Sequence, residues 1–376
     1  MRLHVVAPFN VPPRASSSWF PHATKVLMLP RMLRPLGWHV TEYAPEGSES
    51  AADEKVALVA GRDGSTGEMP VFGSDLHAAF GRRLSEELRR RSRPGDVVAH
   101  MLGAAHRDLV GELPDRVHVE PGVGYSDHPF GAIRIFESRA WRAYMLGAAD
   151  ARRQRRESIA DPSATWVVPM AFDPEDWPAG GGSGDARGPY LVHLGRLHPG
   201  KGPGALAVLL GLMASSWPGA PRLVVAGTGD WAGWAAALPE ASRRLVEVRG
   251  PTMGRARAAL LGAAAAGIYP SVIQEPFGAA AVEGMFCGTP AIVSAWGALE
   301  ENVIHGHTGY HCREPEEMLA AASACVEGRL RREHVMRWAR ARFSLEECGP
   351  LLDRALRGAA ALWPRRAAEV GEAEAA

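Results

Sequence analysis

The sequence predicts an α/β protein of two domains, each a parallel sheet wrapped by helices. Three observations lead to that class. Short apolar runs recur along the chain, and helical patterns separate most of them. The length of 376 residues suits two domains at about 150 residues each. The run Gly180-Gly181-Gly182-Ser183-Gly184 is flexible by composition and marks the boundary. The expected organisation is a first domain over 1–177, a linker over 178–188, a second domain over 189–344, and a closing helix and tail over 345–376.

Bulk composition narrows the class. A hydrophobic share of 46% is ample for two cores. The formal net charge is zero, so no bulk attraction to nucleic acid or to an anionic membrane follows. The cysteines Cys287, Cys312, Cys325 and Cys348 form no Cys-x-x-Cys pair, which argues against a zinc site or a disulfide scaffold and fits a reduced, cytoplasmic setting. The first ten residues, MRLHVVAPFN, read as a strand rather than a leader, and no window is apolar for long enough to span a membrane. Only three lysines occur, Lys25, Lys55 and Lys201, in an arginine-rich chain.

In the first domain, residues 3–7 form a strand that ends in an irregular loop, 8–18, containing Asn10. In a parallel sheet such a loop borders the ligand crevice. Residues 22–34 show helical spacing at Val26, Leu29 and Leu33, interrupted by Pro30. Lys25 lies in its first turns, where it either meets a ligand or is solvated. Strands are expected over 38–43 and 56–60, a loop over 62–69, and a helix over 76–91. That helix ends in Arg89-Arg90-Arg91-x-Arg93, most simply a solvated, dipole-satisfying end. A buried strand over 96–101 places His100 at its carboxyl end, as a catalytic group or as a core histidine bonded to a carbonyl. After a strand over 116–119 comes a glycine-bent loop with Glu120 and Tyr125. Residues 133–146 read as a helix and 166–170 as the last strand.

The second domain opens with a strand over 190–194. Gly195-Arg196 and Lys201-Gly202 then flank a loop leading into a helix over 205–214. Two cations beside a helix start form a clamp for a diphosphate. Strands over 222–226 and 245–248 follow, the second leading to Gly250-Pro251-Thr252, then a helix over 255–264 and a strand to Pro270. Next come Glu275 and Glu283, with seven residues between them, around the turn Pro276-Phe277-Gly278 and a small-residue helix over 279–286. Such a turn into a helix leaves backbone N–H groups free for an anion, and small residues permit close approach. Eight residues of helix span roughly 12 Å, too far for a hydrolytic carboxylate pair. The carboxylates either grip different parts of one long ligand or are a helix-start Glu and a solvated Glu. A strand over 291–294 and helices over 316–326, 329–340 and 350–362 complete the domain, and the tail from Arg365 is expected to fray.

The run Pro270-Ser271, Glu275-Pro276-Phe277-Gly278, Glu283-Gly284-Met285, Gly288-Thr289-Pro290, Gly297, Glu300 and Gly306-x-Thr308-Gly309-Tyr310 resembles the donor-sugar signature of the family-4 retaining glycosyltransferases, also called glycosyltransferase group 1. His193-Leu194-Gly195-Arg196-Leu197 with Lys201-Gly202 resembles the same family's phosphate-gripping loop, and Phe343-Ser344 the short motif before its last helices. The resemblance implies the GT-B fold: two Rossmann-like domains facing each other across a cleft, with the final helix crossing back to the first. It implies a retaining, hexosyltransferase-like transfer to a hydroxyl acceptor, with no cofactor or metal and a UDP- or GDP-sugar as co-substrate. Arg196, Lys201, Glu275 and His100 would be catalytic. Gly195, Arg196, Lys201, Gly250, Thr252, Glu275, Phe277, Gly278, Ala279 and Glu283 would bind the donor, Glu275 at the sugar and Glu283 at the ribose. Asn10, Lys25, Glu120 and Tyr125 would bind a small-molecule or glycan acceptor.

The first half also resembles a subset of family-4-like enzymes of bacteria and viruses. That keeps open a modified DNA base as acceptor, for which the arginines near 89 and over 152–156 are the available positive charge. The same fold would also serve a nucleotide-sugar epimerase or a non-catalytic nucleotide-sugar-binding protein, since fold does not fix function.

Overall fold

The structure is a computed structural model that describes residues 1–17, 20–61, 71–106, 108–125, 133–154, 164–182 and 184–375. The loops expected over 62–69 and 126–130 and the arginines at 155 and 156 lie outside the described residues. The chain divides into two compact units, Met1–Ala171 with Leu345–Ala376, and Phe172–Ser344.

The first unit runs β1 (Arg2–Val6), α1 (Pro21–Leu33), β2 (His39–Pro45), β3 (Glu54–Val59), α2 (Asp75–Arg91), β4 (Val97–His100), α3 (Asp108–Glu112), β5 (Val117–Val123), β6 (Ile133–Phe136), α4 (Arg139–Gln154) and β7 (Thr165–Val167). Its sheet has the order β3-β2-β1-β4-β5-β6-β7, and every pairing is parallel. Strands β1, β4 and β6 are buried along nearly their whole length, as a sheet covered by helices requires.

Two elements differ from the sequence expectation. Residues 133–136 form a strand, not the start of a helix. Ile-Arg-Ile-Phe alternates β-favouring residues beside β5, and the helix waits for Ser138, whose Oγ accepts from Trp141 N at 3.0 Å. Likewise β5 continues through Glu120 and Pro121 to Val123, with a register shift between Pro121 and Val123 that absorbs the proline and Gly122.

The second unit runs β8 (Tyr190–Leu194), α5 (Pro203–Ser216), β9 (Arg222–Ala226), α6 (Trp231–Ala236), α7 (Glu240–Arg243), β10 (Val246–Arg249), α8 (Gly254–Ala263), β11 (Ala266–Tyr269), α9 (Ala279–Phe286), β12 (Ala291–Ser294), α10 (Gly297–Asn302), β13 (Gly309–Cys312), α11 (Pro315–Val326) and α12 (Arg332–Phe343). Its parallel sheet has the order β10-β9-β8-β11-β12-β13. The order reverses between β8 and β11, the switch point outside which open α/β sheets bind ligands. A final helix, α13 (Leu345–Ala375), returns to the first unit and packs on α1; Trp363 Nε1 donates to Pro114 O at 2.9 Å. The tail expected to fray is thus assigned to the end of this helix.

The glycine run does not separate the two units. Gly180 N donates to Cys287 O, Gly182 N to Gly262 O and Gly184 N to Ala263 O, so the run is sewn into the second unit. Arg332 holds it further, donating to the carbonyls of Gly180, Gly262 and Ala264 and to Thr289 Oγ1. Gly180 must be a glycine for this approach, since a Cβ there would lie 2.1 Å from Gly262 O. Composition reads flexibility from glycine; here the same residue serves close packing.

Candidate functional site

The candidate site lies at the carboxyl ends of β8 and β11. After β8, the loop carrying Gly195 and Arg196 is pinned on both sides: Gly195 N donates to Ala226 O, and Leu197 N to Thr228 O at 2.8 Å. Arg196 is exposed on this loop. A short 3-10 turn, Pro199–Lys201, follows and is capped by Gly202 in the left-handed region (φ 73). A Cβ on Gly202 would fall 1.9 Å from Pro270 O, so the glycine lets the turn lie directly against the segment after β11. Val272 N donates to Gly200 O at 3.0 Å across the same seam.

That seam brings Lys201 to Glu275. Lys201 Nζ donates to Glu275 Oε1 at 2.6 Å, and Ser271 Oγ donates to the same oxygen at 2.5 Å. Side-chain exposure is 26% for the lysine and 9% for the carboxylate. Two residues 74 apart in sequence thus place a cation and a hydroxyl-binding acceptor in one spot. Gly278, at φ 84, is the N-cap of α9, and no side chain caps that end. The first N–H groups of a helix have no internal partner, so the α9 terminus offers amide donors and the positive end of its dipole. Phe277 contributes backbone only: its ring is buried against Phe172 and Phe343, and its carbonyl accepts from Asn302 Nδ2 at 2.8 Å.

Glu283 sits on α9 and forms an ion pair with Arg257 of α8. Burial pushes its carboxyl above the usual range, and the guanidinium pulls it back. Arg257 was not singled out in the sequence. Its signal is only an arginine on an alanine-rich helix. Gly250 and Thr252 follow β10, where Thr252 Oγ1 donates to Gly250 O at 3.1 Å.

The remaining candidates belong to the first unit. Lys25 is buried; its Nζ donates to Gly122 O at 2.8 Å and pairs with Glu137 at 2.9 Å. Burial raises the Glu137 pKa, against the pull of Lys25. The pair borders a cavity of about 40 Å³ whose lining includes Met28, Met32, Met101 and Met170. Tyr125 OH donates to Glu120 Oε2 at 3.1 Å, and Gly103 allows this, since a Cβ there would lie 2.2 Å from the phenol oxygen. Asn10 is half-buried, and its Oδ1 has no partner among the described residues.

His100 is placed in the core, 1% exposed. Its Nε2 lies 2.9 Å from His118 Nδ1, and His118 Nε2 lies 2.9 Å from Leu113 O. The carbonyl fixes the His118 proton on Nε2, so His100 Nε2 is the donor in this chain. Burial holds both rings far below the ordinary histidine pKa. This is the core-histidine reading, with a second histidine in place of a direct carbonyl contact.

Comparison with known proteins identifies the fold. Solved structures share the whole architecture. The sucrose-phosphate synthase of Thermosynechococcus elongatus aligns over 95% of this chain and 98% of its own, with TM-score 0.69 and 18% identity. Anabaena HepE in complex with UDP and glucose aligns over 95% and 99%, with TM-score 0.67 and 17% identity. The fold is GT-B. Within this GT-B chain, residues 188–327 match the family model described as "Glycosyl transferases group 1". A Mycobacterium tuberculosis glycogen synthase is 32% identical over 160 residues, 42% of this chain. The match spans 38% of that relative's length. Among the described residues, no group of three or more His, Cys, Asp or Glu is arranged to hold a metal ion. No described helix is long and apolar enough to cross a membrane.

Proposed function

We propose that this protein is a retaining glycosyltransferase that moves a sugar from a UDP- or GDP-sugar to a hydroxyl acceptor without a metal ion, in the cytoplasm. The observation that carries the reading is the 2.6 Å contact of Lys201 with Glu275 beside the uncapped start of α9. It sets a group for phosphate oxygens against a group for sugar hydroxyls.

In this reading the diphosphate lies against Arg196, Lys201 and the amides of Phe277, Gly278 and Ala279. Glu275 accepts from ring hydroxyls of the sugar, Glu283 from the ribose hydroxyls, and Gly250 and Thr252 border the base. The bond between the anomeric carbon and the phosphate oxygen breaks as the acceptor oxygen bonds to that carbon on the same face. The acceptor's proton passes to a phosphate oxygen. Negative charge grows on the diphosphate, where Arg196, Lys201 and the start of α9 supply positive charge; such donors contribute roughly 10²–10³-fold each. Lys25, Tyr125 and Asn10 of the first unit serve the acceptor, with Glu120 acting through Tyr125. Among the described residues Cys287, Cys312, Cys325 and Cys348 are buried and form no disulfide, which fits a reducing compartment.

The test follows donor consumption and product by proton NMR with UDP-glucose or a GDP-sugar and a panel of hydroxyl acceptors. An α-linked product from an α-linked donor, formed at the same rate with and without a chelator, is expected. A β-linked product overturns retention. A rate abolished by the chelator overturns metal independence. An epimerised sugar formed without acceptor overturns transfer itself.

A further inference from the structure

Three neighbouring parallel strands of the second unit, β8, β11 and β12, end on one edge of the sheet. Arg196 and Lys201 follow β8, Ser271 and Glu275 follow β11, and Trp296 follows β12. Open α/β sheets bind their ligands along that edge. The loop after β12 is held in place: Ala295 N donates to Cys312 O and Trp296 N to Ser294 O, both at 2.9 Å. It also lies directly against the segment after β11, since a Cβ on Gly297 (φ 66) would fall 2.8 Å from Gln274 Nε2.

Trp296 is 43% exposed, whereas every other described tryptophan is buried or half-buried. Its Nε1 donates to Ser271 O at 2.9 Å. Ser271 Oγ donates in turn to Glu275 Oε1, the same oxygen that accepts from Lys201. One serine thus fixes both the indole and the carboxylate. This chain of contacts keeps Nε1 within about 10 Å of Glu275 Oε1, a gap that one sugar ring bridges. No described aromatic ring or cation stacks on the indole. With its single polar atom engaged, the side chain offers bare apolar ring surface beside a carboxylate. Carbohydrate and cofactor sites are built from that combination, an aromatic wall with a few placed polar groups.

A sugar ring is amphipathic: hydroxyls project from its rim and C–H bonds from its faces. A carboxylate serves the rim and an aromatic ring serves the face. We propose that Trp296 is a further ligand-contacting residue of the donor site, its indole lying on a C–H face of the sugar whose hydroxyls bond Glu275. The inference rests on the donor reading above. The nucleobase is not the occupant, because in that reading it borders Gly250 and Thr252 after β10. Four strand spacings, about 19 Å, separate β10 from β12. Nor is the diphosphate, since the negative face of an aromatic ring repels an anion.

The test is isothermal titration of UDP against UDP-glucose, and of GDP against GDP-mannose, on the wild type, Trp296→Ala and Trp296→Phe. For the pair that the wild type binds, Trp296→Ala should weaken the nucleotide sugar about tenfold and the bare nucleotide by less than about twofold. Trp296→Phe keeps a ring face and loses the bond to Ser271, and should stay within about threefold of the wild type. Proton NMR adds a reading that mere support of the loop would not move. The ring protons of the bound sugar should shift upfield on the wild type and on Trp296→Phe, and lose that shift on Trp296→Ala. Equal weakening of nucleotide and nucleotide sugar by Trp296→Ala overturns the inference, since the indole then only props the loop. Sugar shifts that are the same with and without the indole overturn it too. So does a loss confined to the acceptor's KM, which places the ring under the acceptor instead. Should Trp296→Ala fail to fold, the sugar shifts on the wild type and Trp296→Phe decide. Failure of the wild type to bind either nucleotide sugar removes the donor reading and this inference together; binding that Trp296→Ala leaves unaltered removes only the inference.

Discussion

At the scale of single residues, Lys201 and Glu275 neutralise each other in a contact that a ligand can take over. A diphosphate offers Lys201 a better anion, and Glu275 is then released to accept from sugar hydroxyls. Lys201→Ala should lower turnover by about 10²–10³. The lysine is partly exposed, so the melting temperature should move little. Initial rates and a thermal melt check both, and near-normal transfer would refute the role. Glu42 gives a second prediction. It is fully buried, and Ser48 Oγ donates to it at 2.5 Å, with Ser50 Oγ on its other oxygen. Burial raises its pKa to about 7, against the pull of Ser48 and Lys55. The folded state therefore binds this proton more tightly than the unfolded chain. The stability it contributes is full below the unfolded value and is lost as pH rises through 7. The swing is on the order of 3 kcal/mol, and Glu42→Gln should flatten it in urea midpoints measured between about pH 5 and 8. Charge and spacing in the sequence pointed to Lys201, Glu275 and Glu283. They could not tell that His100 meets His118, because that contact depends on how two strands place their side chains.

At the scale of elements, α9 and β12 were legible to the residue because glycine and proline punctuate them: Gly278 before the helix, Gly288 and Pro290 between it and the strand. The helix expected over 133–146 failed for the opposite reason. Its apolar residues fit both periods, and only the cap at Ser138 separates strand from helix. Glycines at the seam make a sharp prediction. Gly202→Ala combines a left-handed backbone angle with a Cβ 1.9 Å from Pro270 O. It should cost at least about 2 kcal/mol in a denaturation series and weaken nucleotide binding together with stability, because the turn bearing Lys201 must lift off the segment after β11. Arg332 is the matching case for the glycine run. Arg332→Ala removes a side-chain donor from three carbonyls and a threonine, of which Gly262 O keeps Gly182 N, and roughly 2–4 kcal/mol should be lost, with new cleavage by limited proteolysis near Gly180.

At the scale of the whole molecule, the two units are each built on a parallel sheet, and α13 ties the end of the chain to the first. Length and alternating patterns made the two sheets legible. The division falls at 171/172 and 344/345: the second break is where the closing helix was expected to start, and the first was misplaced into the glycine run, because a run that packs against carbonyls looks in sequence like one that swings free. Trp38 Nε1 donates to Asp353 at 2.7 Å and Trp363 packs on His118, so α13 is part of the first unit's core. Removing residues 345–376 should therefore unfold the first unit while the second still binds nucleotide, as amide exchange with and without UDP would show. The central claim is that Arg196, Lys201 and the start of α9 hold a nucleoside diphosphate. It is tested most directly by phosphorus NMR titration of UDP against the wild type, Arg196→Ala and Lys201→Ala. Saturable shifts of the terminal phosphate on the wild type, weakened at least about tenfold in each variant, are the expected result. Equal binding by all three proteins, or none by the wild type, would contradict it.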